Sequence, residues 1–172
     1  MARPAPQDAA EFYHGYINMA TGNSLAEVMA NHTAEIKNFY SDLPEDKADY
    51  AYADGKWTMK ELLQHITDAE RIFAYRALRI ARKDATPLAS FDENAYAQNA
   101  NAKNRKLQSL KDEFNAARHA TDLMLQSFDE DQLNAKGTAS NKSITVNAIA
   151  FIIYGHLLHH KKIIEELFSF IF

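Results

Sequence analysis

At 172 residues and 47% apolar composition, the chain is long enough for one domain (1–172) with a substantial buried core, and it has an ordinary globular composition. The net charge is −4, with Lys and Arg scattered among Asp and Glu rather than gathered in a stripe, which argues against a nucleic-acid partner. The absence of cysteine excludes disulfides, thiolate ligands and a cysteine nucleophile, and it fits a reducing cytoplasm.

The opening MARPAPQDAAEF has no apolar signal core, and no apolar run approaches about 18 residues, so the expectation is a cytoplasmic protein without a membrane span. Only four prolines and five glycines occur, beside abundant Ala, Leu, Glu, Lys and Gln. That balance predicts an all-α protein.

Residues 1–10 carry Pro4 and Pro6 and read as a loose, extended arm. Phe12, Tyr13, Tyr16 and Ile17 suit a short helix or a packed strap over 11–19. Thr21-Gly22-Asn23-Ser24 is a turn, with Asn23 or Ser24 as N-cap of a first long helix over about 25–40. Its stripe is Leu25, Val28, Met29, His32, Ile36 and Phe39 or Tyr40. His32 is read as a core-edge histidine, not a ligand.

Asp42-Leu43-Pro44 ends that helix, and a loop runs to Gly55. Thr58 and Glu61 have capping-box spacing, with Trp57 placed to staple against Leu62 and anchor the loop. The second long helix is predicted over about 59–82. Its inward face takes Leu62, His65 or Ile66, Ala69, Ile72 or Phe73, Arg76 and Ile80. Thr86-Pro87 then blocks continuation. Leu88 and Phe91 are apolar enough to tuck onto the bundle, and Asn94 opens a short helix. A third long helix is expected over about 101–127, with His119 on the surface.

Residues 129–145 read as a second connection, with a turn at Lys136-Gly137 and Ser143 or Thr145 capping a fourth long helix over about 146–168. That helix carries GHLLHHKKIIEE, residues 155–166. His156 and His160 lie one turn apart on one face, and two imidazoles at that spacing can hold one metal ion. The Glu that follows the first His in metalloprotease helices is missing, which argues against a zinc protease of that type. Gly155, directly before His156, suggests close approach of a neighbouring helix or room at a site. His65 could converge with the pair from the second helix, or be a satisfied core histidine. The tail 168–172, FSFIF, is apolar enough to pack back on the bundle or cover a partner subunit, which suggests a homodimer.

The segments GKWTMKELLQHITDAERIFAYRALRIARKD, TPLASFDENAY and AFIIYGHLLHHKKIIEE resemble the DinB-like superfamily, which includes YfiT-like metal-dependent hydrolases and the bacillithiol and mycothiol S-transferases. The resemblance runs from about Ala9 to Phe168. Its motif reads W-T-x2-E-x3-H from Trp57 through Glu61 to His65, followed by D-x-E-R at Asp68, Glu70 and Arg71. It implies a four-helix bundle with a long crossover connection between helices 2 and 3. It also implies a divalent ion, Zn²⁺ or Ni²⁺, held by His65, His156 and His160, with His159 as a neighbour.

Such an ion keeps a position open to water or substrate, and lowers the pKa of bound water to about 7, or of a thiol further. The resemblance therefore implies hydrolysis or thiol transfer on a small molecule, the latter with a low-molecular-weight thiol as co-substrate. Asp68, Glu70, Tyr75 and Tyr154 are candidate bases, and Asp68 or Glu70 could instead orient a histidine ring. Two other readings stand beside this one. In the first, a non-catalytic bundle binds a ligand or partner and the metal is structural. In the second, there is no metal and the histidines pack or face solvent.

Overall fold

A computed structural model describes residues 1–167. The tail 168–172, on which the expected homodimer rests, lies outside the described residues. Seven α-helices are present among them: α1 (His14–Met19), α2 (Leu25–Ser41), α3 (Met59–Ala81), α4 (Glu93–Asn99), α5 (Leu107–Gln126), α6 (Glu130–Asn134) and α7 (Val146–Leu167). One antiparallel hairpin, β1 (Lys136–Ala139) and β2 (Lys142–Thr145), sits before α7. None of these helices is long and apolar enough to cross a membrane.

The four long helices, α2, α3, α5 and α7, form the bundle. Both α2 and α3 pack against α5 and α7, so the first two bundle helices stand across the diagonal from each other. A long crossover, residues 82–106, joins α3 to α5 and carries α4. The core runs down the bundle axis through Val28, Ile36, Leu63, Ile66, Phe114, Ile149 and Ile153.

Local chemistry sets where the elements begin. Ser24 caps α2 by accepting the Glu27 N–H at 3.2 Å. Leu25, Val28, His32, Ile36 and Tyr40 are then buried at helical spacing. Thr58 and Glu61 form the expected capping box at the start of α3. The Tyr40 hydroxyl donates to the Leu157 carbonyl at 2.7 Å and ties α2 to α7.

Two expectations need correction. The third long helix starts at Leu107 rather than near Asn101. Asn101 takes the left-handed conformation at φ 55°, and its Oδ1 accepts from Asn104 Nδ2 at 2.6 Å, which ends any helical run there. The 129–145 connection is not a plain loop either, since it holds α6 and the hairpin. Its turn lies at Ser140-Asn141, with φ of 52° and 60°, not at Lys136-Gly137. Gly137 is instead a strand residue, where a Cβ would come within 2.6 Å of Ile80 Cγ1. The hairpin also holds the crossover, because Leu88 N–H donates to the Thr138 carbonyl and Ser140 N–H to the Leu88 carbonyl, both at 2.9 Å.

The segment read as an arm makes specific contacts. Arg3 donates to the carbonyls of Ala20 (2.7 Å) and Gly22 (3.0 Å), and Asn147 Nδ2 donates to the Ala2 carbonyl at 2.9 Å. After it, α1 lies directly on α7. Gly155 makes that possible, since a Cβ there would be driven into the Tyr16 carbonyl.

Candidate metal centre

His65 stands in the second turn of α3, so the Thr58–Glu61 cap orients the backbone that carries it. His156 and His160 stand one turn apart on α7. The bundle brings all three together: one ring nitrogen from each lies within 4.8 Å of the others, and all three residues are buried. Ring centroids are separated by 5.3 Å (65–156), 5.0 Å (65–160) and 4.5 Å (156–160). Nε2 of His156 and Nε2 of His160 face each other at 3.0 Å.

Aromatic rings close the cluster on two sides. The Trp57 ring lies 4.7 Å from that of His65, so the anticipated loop anchor also covers a site residue. The Tyr16 ring lies 5.6 Å from His156 and 5.3 Å from His159. His159 is only partly buried and borders His160 at 5.0 Å.

Burial holds these imidazoles neutral. It pulls His65 down to about 4, and together with His65 and His159 it pulls His160 to about 3. His156 falls well below the ordinary imidazole value, by burial first and then by its three histidine neighbours.

Two cavities border the cluster. The larger, about 360 Å³, reaches His65 and His156 and is walled by Tyr13, Tyr16, Phe73 and Phe91, with Arg76, Glu93 and Lys142 also on its lining. The second, about 290 Å³, reaches His160 beside Tyr52, Lys56, Trp57 and Asn94.

The other candidates have different partners. Glu70 is buried and ion-paired with Arg118 at 3.0 Å, and Arg118 also bonds Asp122 at 2.7 Å. Asp122 in turn accepts the Tyr154 hydroxyl at 2.6 Å, and Tyr154 meets Thr33 at 2.9 Å. This polar chain draws one or more residues from each of α2, α3, α5 and α7. Asp68 accepts from Gln64 Nε2 at 2.9 Å and lies 3.8 Å from Arg71. Burial, its largest influence, raises the pKa of Asp68. Tyr75 is exposed and bonded to Arg79. His32 accepts the Thr21 N–H at 3.1 Å and meets Glu35 at 3.3 Å, so its ring is satisfied without an ion.

A family model described as the DinB superfamily matches residues 24–164. The chain belongs to the DinB superfamily. No curated protein matches it by sequence. Among solved structures, it is similar to YfiT from Bacillus subtilis, described as a probable metal-dependent hydrolase with an unusual four-helix bundle topology. The TM-score is 0.71 at 18% identity, over 96% of this chain and 91% of that one. It is also similar to a mycothiol-dependent maleylpyruvate isomerase, with a TM-score of 0.65 at 12% identity, over 87% of this chain and 59% of that one. A DinB-like protein from Bacillus subtilis gives a TM-score of 0.54 at 18% identity, over 90% and 87% of the two chains. At these identities the likeness is one of fold.

The residues of this DinB-superfamily chain fit a divalent ion on two counts. The donor set is three imidazoles in their neutral, ligating form. The 3.0 Å between the two facing Nε2 atoms is close to the ~3.3 Å expected of two nitrogens on a tetrahedral ion.

Sequence reasoning placed Arg76 and Tyr16 on packed faces but gave neither a role at the site. Gly155 beside His156 was the one signal that could have located Tyr16.

Proposed function

We propose that this DinB-superfamily chain is a metal-dependent enzyme acting on a small molecule, with His65, His156 and His160 holding one divalent ion, Zn²⁺ or Ni²⁺. The observation that carries the reading is the convergence of three buried, neutral imidazoles from two helices at the meeting point of two cavities. When bound, the ion supplies Lewis acidity and lowers the pKa of a water or thiol that reaches it.

The chain's own residues do the rest. Three neutral ligands leave the ion's charge undiminished, so its effect on a nucleophile is strong. Trp57 and Tyr16 shield the rings from bulk water, which strengthens every electrostatic interaction inside. The aromatic walls of the larger cavity hold the apolar part of a substrate. No proton transfer is assigned to Asp68 or Glu70, since both carboxylates are engaged with neighbouring polar groups.

Two nucleophiles suit this site: water, as in a hydrolase, and a low-molecular-weight thiol, as in a thiol transferase. Two cavities on two sides of the cluster favour the two-substrate reaction. The expected metal content is about one ion per chain, falling to near zero in His65→Ala and His160→Ala. Full retention by both variants, read by elemental mass spectrometry, removes the site. Mass spectrometry of products from activated small molecules, with and without added thiol, then separates transfer from hydrolysis.

A second reading, a structural ion in a non-catalytic bundle, is favoured by one fact: the three rings bridge α3 and α7, so an ion would staple two bundle helices. A bundle that melts on chelation and turns over no substrate supports it. A single domain, a cytoplasmic location and a homodimer complete the proposal. Light scattering of a chain ending at Glu166 tests the dimer, and an unchanged dimer dismisses the tail as its interface.

A further inference from the structure

The larger cavity has a floor made by one stripe of α3. His65, Ala69, Phe73 and Arg76 all line it, and a helix returns to nearly the same face after three turns, about 16 Å along its axis. One end of the floor is therefore the histidine cluster and the other is a guanidinium.

Arg76 is 3% exposed. Its Nη2 donates to the Ala89 carbonyl at 2.7 Å and to Ser140 Oγ at 3.1 Å. Both partners are neutral. Among the described residues no carboxylate lies within ion-pair distance of Arg76, and neither Nε nor Nη1 has a protein acceptor. The guanidinium carbon sits 5.7 Å from the Phe73 ring and 6.0 Å from the Phe91 ring, both cavity walls. A buried charge that keeps its Nε and Nη1 donors free and is flanked by aromatic faces attracts an anion and offers it a charge-assisted hydrogen bond. Lys142, exposed on β2, adds a second positive group to the lining, while Glu93, also exposed, adds the one carboxylate there.

We propose that the larger cavity binds a small organic carboxylate with an aromatic or otherwise apolar body, its carboxylate on Arg76 and its other end at the three histidines. This deepens the function proposed above and rests on that reading only for the reacting end. The anion site itself needs no metal. The Arg76 side chain leans toward the N-terminal end of α3, so the ligand spans less than the ~16 Å of helix rise between the two ends. The aromatic walls accept its body, and Glu93 disfavours the reversed orientation in which the carboxylate lies near α4.

Calorimetric titration of the whole protein, metal-loaded and chelator-stripped, tests this with benzoate, phenylacetate and 3-phenylpropionate against the matching primary amides. At least one carboxylate is expected to bind about tenfold tighter than its amide in both forms of the protein. Arg76→Gln is expected to abolish that preference, and Arg76→Lys to keep part of it. Should Arg76→Gln fail to fold, the Arg76 Nε–Hε resonance of the wild-type protein provides the readout, and it is expected to shift as benzoate is added. The proposal is overturned by equal binding of acids and amides, or by a preference that survives Arg76→Gln. A preference that disappears on chelation also overturns it, because the acid then binds at the histidines. Carboxylate binding in a protein that never takes up metal leaves this inference standing while the metal reading fails, so the two are separable.

Discussion

His65, His156 and His160 carry a cost that a folded chain must offset. Burial depresses His65 from the ordinary 6.5 to about 4 and His160 to about 3, so the folded state refuses protons that the unfolded chain accepts. Between those values the unfolded state binds more protons, and stability therefore rises with pH. In chelator-stripped protein the urea midpoint is expected to fall steadily as pH drops from 6.5 toward 4. Replacing His160 by Gln should make that slope shallower, and urea melts at stepped pH read both. Gly155 tells a steric story at the same scale. Alanine gains about 1 kcal/mol in helix propensity, but its Cβ meets the Tyr16 carbonyl, a backbone group that cannot swing aside. Overpacking costs typically 1–3 kcal/mol, and a Cβ driven into a backbone oxygen belongs at the upper end, so Gly155→Ala is expected to destabilise by about 2 kcal/mol net and to loosen α1. Chemical denaturation gives the first quantity and hydrogen exchange at Ile17 the second.

At the scale of elements, the start of α3 and the placement of α1 matter most. The Thr58–Glu61 box satisfies free N–H groups two turns before His65. Thr58→Ala is expected to cost about 1 kcal/mol in thermal or chemical melts. Metal affinity should weaken with it only as far as the first turn frays. The hairpin acts differently, because its hydrogen bonds reach the crossover and Arg76. It holds the crossover through Leu88 and presents Ser140 to Arg76, so it positions the cavity end rather than the metal end.

Across the whole molecule, the polar chain Thr33–Tyr154–Asp122–Arg118–Glu70 links all four bundle helices through the interior. Tyr154 lies two residues before His156 and Glu70 five after His65, so this chain sets the register in which α7 and α3 bring their histidines together. Removing the cation would strand two buried carboxylates. Arg118→Ala is expected to cost about 3–5 kcal/mol, measured by urea unfolding, and to lower metal stoichiometry although Arg118 is no ligand. Tyr154→Phe, which removes one hydroxyl, should cost about 1 kcal/mol.

Helix existence, the caps at Ser24 and Thr58, the α2 stripe and the one-turn spacing of His156 and His160 were all legible in the chain by itself. These follow from local periodicity and from side chains bonding a backbone a few residues away. The resemblance of the motif around Trp57 and His65 pointed to the same three histidines. The late start of α5 and the hairpin turn were not legible, because each depends on a left-handed Asn or Ser that periodicity does not reveal. Nor was the buried ion pair of Glu70 and Arg118, since a charged residue on a helix reads as solvent-facing until its partner across the bundle is known. Local chemistry along the chain determined which segments became helices and which histidines shared a face. Only the tertiary structure decided that α2 and α3 stand diagonally, that Gly155 admits Tyr16, and that His65 meets the α7 pair, because each of these is a contact between residues far apart in sequence.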